Sequence, residues 1–223
     1  MAEPNAESAD PIHFGGATLT RYRHVCAFFH NRDEEYRVLL PFIMEGFERS
    51  EKAFHIVDPK LRGSHLERLE SGGIKVKETQ QTGQLEVRDW GDAYLRDGHF
   101  DQYRMLALIE QVLAKGSEAF ALTRLVAHME WALEDRPGVN DLLEYETRLN
   151  NILPKYPDPV ICTYDTAKFG GGIVVDIMRT HPMIIIGGVL QENPFFVPPD
   201  EFLRELQDRA TGRGAASPQP ALV

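Results

Sequence analysis

Short apolar runs alternate with amphipathic stretches along most of the chain, and this alternation predicts strands followed by helices. The six apolar runs are HVCAFFH, KAFHIVD, QLEVRDW, FALTRLVAHM, PVICTYD and MIIIGGVL. Between most of them, apolar residues recur every three or four positions, as on one face of a helix. Strands that alternate with helices form a mostly parallel sheet covered on both faces. The sequence therefore predicts a three-layer α/β fold.

The turn after the first predicted strand carries the polar stretch HNRDEE, residues 30–35. Asn31 and Glu34 have the spacing of a capping box, so we expect Asn31 to cap a helix that begins at Arg32. A phosphate-binding loop needs glycines for close backbone approach, together with a Lys and a Ser or Thr. The turn has none of these residues, and its three carboxylates would repel a triphosphate. We therefore predict that it does not bind ATP in the usual manner.

Helix-capping and helix-breaking residues, together with local composition, predict the remaining limits of the helices, strands and tails. Pro41 is expected to kink the first helix, and Asn140 is expected to cap the helix that precedes PVICTYD. The run MIIIGGVL is expected to form one last central strand. Residues 1–12 and 211–223 have the composition of flexible tails, so we expect a single domain over residues 13–210.

Composition narrows the possible functions. The chain has 223 residues, 43% of them hydrophobic, and a formal net charge of -10. An acidic protein lacks the basic face that a nucleic-acid backbone requires, so direct nucleic-acid binding is not expected. Because the sequence contains neither a long apolar segment nor a signal-peptide pattern, we expect a cytoplasmic protein without membrane association.

The two cysteines, Cys26 and Cys162, lie at similar depths in two predicted strands. Two thiols in apolar runs are most often buried and reduced. A redox pair or a soft-metal site is the alternative. We predict no cofactor, no metal ligands and no catalytic residues.

Polar and aromatic residues at strand ends are the candidate binding residues, because ligands of parallel α/β sheets bind at the carboxyl ends of the strands. Several have simpler explanations: Asn31 as a helix cap, Trp131 as core, and Arg124 as the partner of a carboxylate. His181 is expected to stabilise a helix end. The predicted ligand-binding residues are His30, Asn31, Arg124, His128, Trp131, Tyr164 and Asp165.

Several blocks together resemble one known family. These are the run from HVCAFFHNRDEEYRVLLPF to KAFHIVD, then GQLEVRDWGDAYLRDGHFD, HMEWAL, LLEYETRLNNILPKYPDPVICTYD and RTHPMIIIGGVLQENPFFVPP. They resemble the MEDS domain, a sensory domain of methanogen and methylotroph regulators of the dichloromethane-repressor type, over roughly residues 20–206. The resemblance implies a RecA-like or KaiC-like fold with a degenerate phosphate loop, and a role in sensing small hydrocarbon derivatives. In a RecA-like strand order, the strands that carry Cys26 and Cys162 are neighbours, so the resemblance also implies that the two thiols lie close together. The family pattern usually has Glu at the position of His128.

The residues and the resemblance together favour a non-enzymatic sensory domain. We expect it to bind a small, largely apolar organic ligand and to signal through a protein partner in trans, of regulator or kinase type. The first alternative is a protein-interaction scaffold derived from an ATPase, without a ligand. The second is a hydrolase or metal enzyme that uses His30, His128, Asp165 and Cys162.

Overall fold

Nine strands and seven α-helices occur within residues 11–212, the part of the chain that the computed structural model describes. The strands are β1 (Ile12–Phe14), β2 (Ala17–Leu19), β3 (His24–Phe29), β4 (Lys52–Val57), β5 (Leu85–Asp89), β6 (Thr123–His128), β7 (Val160–Asp165), β8 (Met183–Ile186) and β9 (Val189–Glu192). The helices are α1 (Arg32–Glu48), α2 (Arg62–Ser71), α3 (Val76–Gln81), α4 (Gln102–Ala119), α5 (Leu142–Ile152), α6 (Gly171–Arg179) and α7 (Pro199–Ala210).

Seven strands form the central sheet in the order β5-β4-β6-β7-β3-β8-β9. All neighbours are parallel except β8 and β9. Helices α1, α2 and α3 cover one side, called here the α1 face, and α4, α5 and α6 cover the other, called the α5 face. The predicted three-layer α/β architecture is confirmed. The helices change face where the chain changes direction across the sheet, as right-handed crossovers require.

The central strands are buried on both faces, which explains why they are continuous apolar runs. Every residue of β3 and β6 is buried. Cys26 of β3 and Cys162 of β7 are register partners, so the predicted proximity of the two thiols is confirmed. Both cysteines are free and buried.

The segment MIIIGGVL is a hairpin, so its prediction as one central strand was wrong. Gly187 and Gly188, with φ of 59° and 78°, form the turn between β8 and β9. Two positive-φ residues at a two-residue turn are typical of a hairpin, and glycine adopts them without steric cost. The antiparallel strand β9 ends the sheet at that edge.

The predicted cap of α1 is confirmed, because Oδ1 of Asn31 accepts a hydrogen bond from the Glu34 backbone N–H at 2.9 Å. The predicted cap at Asn140 is wrong. A 3-10 turn at Val139–Asp141 precedes α5, and no side chain of the described residues caps that helix. Pro41 lies inside α1, which the structure assigns as one helix.

The predicted tails lie mostly outside the described residues. At the amino-terminal side, β1 begins at Ile12, which is buried although we placed it in a tail. The small hairpin of β1 and β2 was not predicted. It packs against α1 and β9. Within residues 11–212, no helix combines the length and the apolar character needed to cross a membrane.

Candidate functional site

Four charged or titratable side chains meet where β6 ends and α1 begins. Nη1 of Arg32 lies 2.5 Å from Oε2 of Glu35, and Nη2 of the same guanidinium lies 2.6 Å from Oε1 of Glu130. The other carboxylate oxygen of Glu35, Oε1, lies 3.2 Å from Nε2 of His128. These four residues are called the strand-end cluster. It occupies the position where nucleotide-binding α/β proteins bind their ligands.

Burial strengthens the interactions between the charged groups of the strand-end cluster. Glu35, His128 and Glu130 are buried, whereas the Arg32 side chain is 21% exposed. Burial by itself would raise the pKa of Glu35, but the charges of His128 and Arg32 lower it to about 2. Glu35 is therefore ionised near neutral pH. Lys168, which lies 3.7 Å from Glu130, adds a second positive charge at the solvent side.

Several polar atoms of this cluster lack a hydrogen-bond partner among the described residues. They are Oε1 of Glu35, Oε2 of Glu130 and both ring nitrogens of His128. The contact between His128 and Glu35 is therefore close but not aligned as a hydrogen bond. Buried polar groups are normally paired, so these atoms are candidates for contacts with water or a ligand.

A chain of aromatic and imidazole side chains continues behind His128 on the α1 face. The ring of His65 lies 5.9 Å from that of His128, edge to face. Nε2 of His65 lies 3.0 Å from Nδ1 of His55, and its Nδ1 lies 2.5 Å from the hydroxyl of Tyr36. Burial and neighbouring positive charge lower the pKa of His55 to about 3 and that of His65 well below its usual value. Both imidazoles are therefore neutral.

The cavity beside the strand-end cluster is small in this structure. Its volume is about 10 Å³, roughly the space of one water molecule. Arg32 and Glu35 line it together with residues from the ends of β3 and β7, namely Phe29, Asn31, Thr163, Tyr164 and Asp165. The other two members of the cluster, His128 and Glu130, do not line this cavity.

The predicted residues His30, Asn31 and Asp165 lie at this end of the sheet, but their polar groups have local partners. Nδ1 of His30 lies 3.0 Å from the Thr166 hydroxyl. Asn31 caps α1, and Oδ1 of Asp165 accepts a hydrogen bond from the backbone N–H of Ala167. Of the seven predicted residues, His128 alone belongs to the strand-end cluster.

The structure separates the other predicted residues from His128. Tyr164 points to the α5 face, because side chains alternate along β7. Trp131 stacks on Tyr94, with ring centroids 4.5 Å apart, in the core of that same face. Arg124 lies four residues before His128 in β6, about 13 Å away along the strand.

Arg124 is fully buried and has carboxylate partners, as the simpler explanation predicted. Its Nε lies 2.5 Å from Oε2 of Glu51, and its Nη2 lies 2.8 Å from Oε2 of Glu45. Nη1 donates to the Phe42 carbonyl oxygen. This ion pair joins α1 to the amino end of β6, away from the strand-end cluster.

A second group of buried polar side chains lies on the α5 face. The side-chain ligand atoms of His24, Glu146, Cys162 and His181 all lie within 4.8 Å of one another. These four residues are called the interior cluster. None of them is among the seven predicted ligand-binding residues, and only Cys162 was named in the soft-metal and enzyme alternatives. His181 does meet the end of α6, as expected, with Nδ1 lying 3.0 Å from the Ile177 carbonyl oxygen.

One sequence signal could have revealed both clusters: a carboxylate on the apolar face of a helix. Glu35 shares the buried face of α1 with Leu39 and Phe42. Glu146 likewise lies on the buried face of α5, between Leu142 and Leu149. A charge in such a position must find partners in the core, and both glutamates have imidazole neighbours. The partners themselves come from distant strands, so periodicity alone does not identify them.

Solved structures with the same architecture define the class of the fold. A KaiC-like protein from Pyrococcus horikoshii OT3 matches with a TM-score of 0.53 and 16% identity, covering 74% of this chain and 71% of that one. The flagellar accessory protein FlaH from Methanocaldococcus jannaschii matches with a TM-score of 0.50 and 12% identity, covering 80% of this chain and 76% of that one. This chain has a RecA/KaiC-like fold in which a capped helix start, Asn31 to Glu34, replaces a phosphate loop.

A family model narrows the class further. The model of the MEDS domain, described as the methanogen/methylotroph, DcmR sensory domain, matches residues 23–182. This chain belongs to the MEDS family and is a sensory domain. The match includes both the strand-end cluster and the interior cluster.

A curated relative connects the domain to regulation. The transcriptional repressor DcmR of Methylorubrum extorquens is 24% identical over 179 residues, which are 79% of this chain and 64% of the repressor. The match therefore leaves about a third of the repressor's length outside it. The similarity supports a regulatory role for the present chain.

Proposed function

We propose that the chain senses a small, largely apolar organic molecule at the strand-end cluster and reports its presence to a protein partner. The unpaired polar atoms of Glu35, His128 and Glu130 at the ends of parallel strands carry this proposal. A ligand with one polar group would satisfy some of them. Its apolar part would lie against Phe29 and neighbouring side chains of the cavity wall.

His128 is the proposed polar contact of the ligand. The imidazole is buried, and both of its nitrogens are free of hydrogen bonds to the described residues. An imidazole can donate to a carbonyl or ether oxygen and accept from a hydroxyl. This versatility suits a sensor of small hydrocarbon derivatives, the ligand class that the family resemblance implies.

Arg32 is the proposed moving part. It bridges Glu35 and Glu130 and is the most exposed member of the strand-end cluster. A ligand larger than water requires this guanidinium to leave the bridge. When Arg32 leaves Glu130, the first turn of α1 is no longer held to the segment after β6. The protein then has two states, one with and one without this bridge, and the ligand binds them with different affinity. Such a difference is the requirement for a ligand to bias an output.

The output is proposed to pass to a separate regulator or kinase-type protein. Support comes from the family, which is sensory, and from the longer repressor that this chain matches over 64% of its length. The net charge of -10 favours a protein partner over a nucleic acid.

A ligand panel tests the proposal. Short-chain alcohols, ketones and haloalkanes are titrated into the purified chain while backbone amide chemical shifts of α1 and of residues 128–131 are recorded. His128→Ala should weaken binding of an active compound by about 1 to 3 kcal/mol, since a buried polar group loses its partner. Asp33→Asn, whose side chain is 77% exposed, serves as the control with unchanged affinity. Equal affinities of His128→Ala and the native chain would refute the site.

The small cavity favours one alternative, a protein-interaction scaffold without a ligand. Native mass spectrometry of protein purified from its own host separates the two proposals. A sensor retains a small molecule whose mass disappears after unfolding and refolding. A scaffold retains only a protein partner.

A further inference from the structure

The interior cluster has the donor set and the spacing of a tetrahedral metal centre. It combines two imidazole nitrogens, a thiol sulfur and a carboxylate oxygen, which are the ligands that zinc takes in proteins. It comes from four separate elements: His24 begins β3, Glu146 lies in α5, Cys162 lies in β7, and His181 precedes β8. All four side chains are buried.

Four of the six distances between ligand atoms are close to those of tetrahedral coordination, and the other two are at most 4.8 Å. Oε2 of Glu146 lies 3.2 Å from Nε2 of His24 and 3.3 Å from Nε2 of His181. Sγ of Cys162 lies 3.6 Å from the same carboxylate oxygen and 3.8 Å from Nε2 of His24. Ligands at zinc bond lengths lie about 3.3 Å apart for nitrogen and oxygen, and about 3.6 Å apart when one is sulfur.

Neighbouring groups fix the orientation of His24. Nδ2 of Asn150 donates to the carbonyl oxygens of Glu146, Thr147 and Thr180. The amide oxygen of Asn150 must then face Nδ1 of His24, 3.0 Å away, so this nitrogen carries the proton. The unprotonated Nε2 of His24 points into the cluster.

His181 is fixed in the same way. The Thr180 hydroxyl donates to the Ile177 carbonyl oxygen, so it can only accept from Nδ1 of His181, 2.8 Å away. Nε2 of His181 faces the cluster and has no hydrogen-bond partner among the described residues. Metal-binding histidines typically donate their second ring nitrogen to an oxygen in this manner.

The carboxylate is oriented too. Tyr164 donates its hydroxyl to Oε1 of Glu146 at 2.8 Å, which leaves Oε2 for the cluster. Both imidazole Nε2 atoms then face one anionic oxygen, an arrangement that either a proton on His181 or a bound metal ion would stabilise. A divalent metal with a thiolate and a carboxylate gives a net charge of zero, as a fully buried site requires.

We propose that His24, Glu146, Cys162 and His181 bind one zinc ion. Binding forms a Zn–S bond and releases the Cys162 thiol proton to solvent. With four protein ligands the site is closed, so the metal has a structural role: it joins β3, β7, α5 and the segment before β8. This inference is independent of the ligand proposed at the strand-end cluster, which lies on the opposite face of the sheet.

Metal analysis of the purified chain tests the site. The chain is expressed in zinc-supplemented medium, purified without a metal-affinity column and analysed by plasma mass spectrometry. About one zinc per chain is expected. Cys162→Ala should lose the zinc, and Cys26→Ala should keep it, because Cys26 is an equally buried thiol on the adjacent strand. Native protein without stoichiometric zinc, or Cys162→Ala that retains it, would overturn the proposal.

A cobalt spectrum covers the case in which Cys162→Ala does not fold. The native chain is unfolded with a chelator and refolded with Co²⁺. Tetrahedral coordination with a thiolate gives intense visible bands and a sulfur-to-cobalt charge-transfer band in the near ultraviolet. A spectrum without the charge-transfer band would exclude Cys162 as a ligand, and weak octahedral bands would exclude the tetrahedral site.

Discussion

Nε2 of His128 lies 3.2 Å from Oε1 of Glu35, and this contact joins the end of β6 to the first turn of α1. Glu35 in turn pairs with Arg32, which also holds Glu130. The four side chains form one continuous network, so a change at His128 alters the contacts of the helix start. The strand-end cluster therefore links the proposed ligand contact to an element that can move.

Glu35→Gln should destabilise the protein by about 3 kcal/mol, because Arg32 then keeps Glu130 as its only buried carboxylate partner and His128 loses its carboxylate neighbour. Urea unfolding followed by circular dichroism measures the change. The matched control is Asp33→Asn in the same helical turn, since Asp33 pairs with Arg68 at 2.6 Å but is largely exposed. That control should change stability by less than about 0.5 kcal/mol. Similar effects of the two substitutions would contradict the buried network.

Arg124→Met should destabilise the fold by about 3 to 5 kcal/mol, because Glu51 and Glu45 then lose a buried partner. The double variant Arg124→Met with Glu51→Gln should be less destabilised than the sum of the two single variants. Denaturant unfolding of the native chain, the two single variants and the double variant gives this comparison. Strict additivity would show that the two residues are not coupled.

Acidification should weaken the fold through the buried neutral histidines. The pKa of His55 is about 3 in the folded protein and 6.5 in its ordinary state. Because the folded pKa is lowered, the stabilisation is complete above pH 6.5 and is lost as pH falls towards 3. The slope is about 1.4 kcal/mol per pH unit for each such histidine.

Urea unfolding of the native chain and of His55→Gln between pH 6.5 and 5 isolates this contribution. Subtracting the two free energies of unfolding at each pH removes the contributions of groups that the substitution does not affect. The variant should show the smaller decrease in stability. An identical decrease in both proteins would mean that His55 is protonated in the folded state.

The chain should show no saturable ATP–magnesium binding at micromolar concentrations. The backbone N–H of Glu34 at the start of α1 already donates to Asn31, and that of His30 donates to the Glu34 carboxylate at 2.8 Å. Three carboxylates in this turn also oppose a triphosphate. Isothermal titration calorimetry measures the affinity, with a KaiC-like ATPase as the positive control. A saturable isotherm would contradict the loss of the phosphate site.

Local sequence patterns predicted much of the fold. The apolar runs located β3, β4, β5, β6 and β7 because strands buried on both faces need side chains that are apolar almost throughout. Asn31 was identified as a cap from its three-residue spacing to Glu34. MIIIGGVL was misassigned because its apolar residues fit one buried strand, whereas the positive φ of Gly187 and Gly188 turns the chain back.

The sequence by itself determined the α/β class and the loss of the phosphate loop, because each depends on local periodicity or on residue types at one turn. Only the tertiary structure decided which polar side chains meet. His128 and Tyr164 both lie at strand ends, yet strand alternation directs them to opposite faces of the sheet. The strand-end and interior clusters arise from strand order and helix docking, which bring distant residues together in the core. No spacing along the chain encodes those contacts.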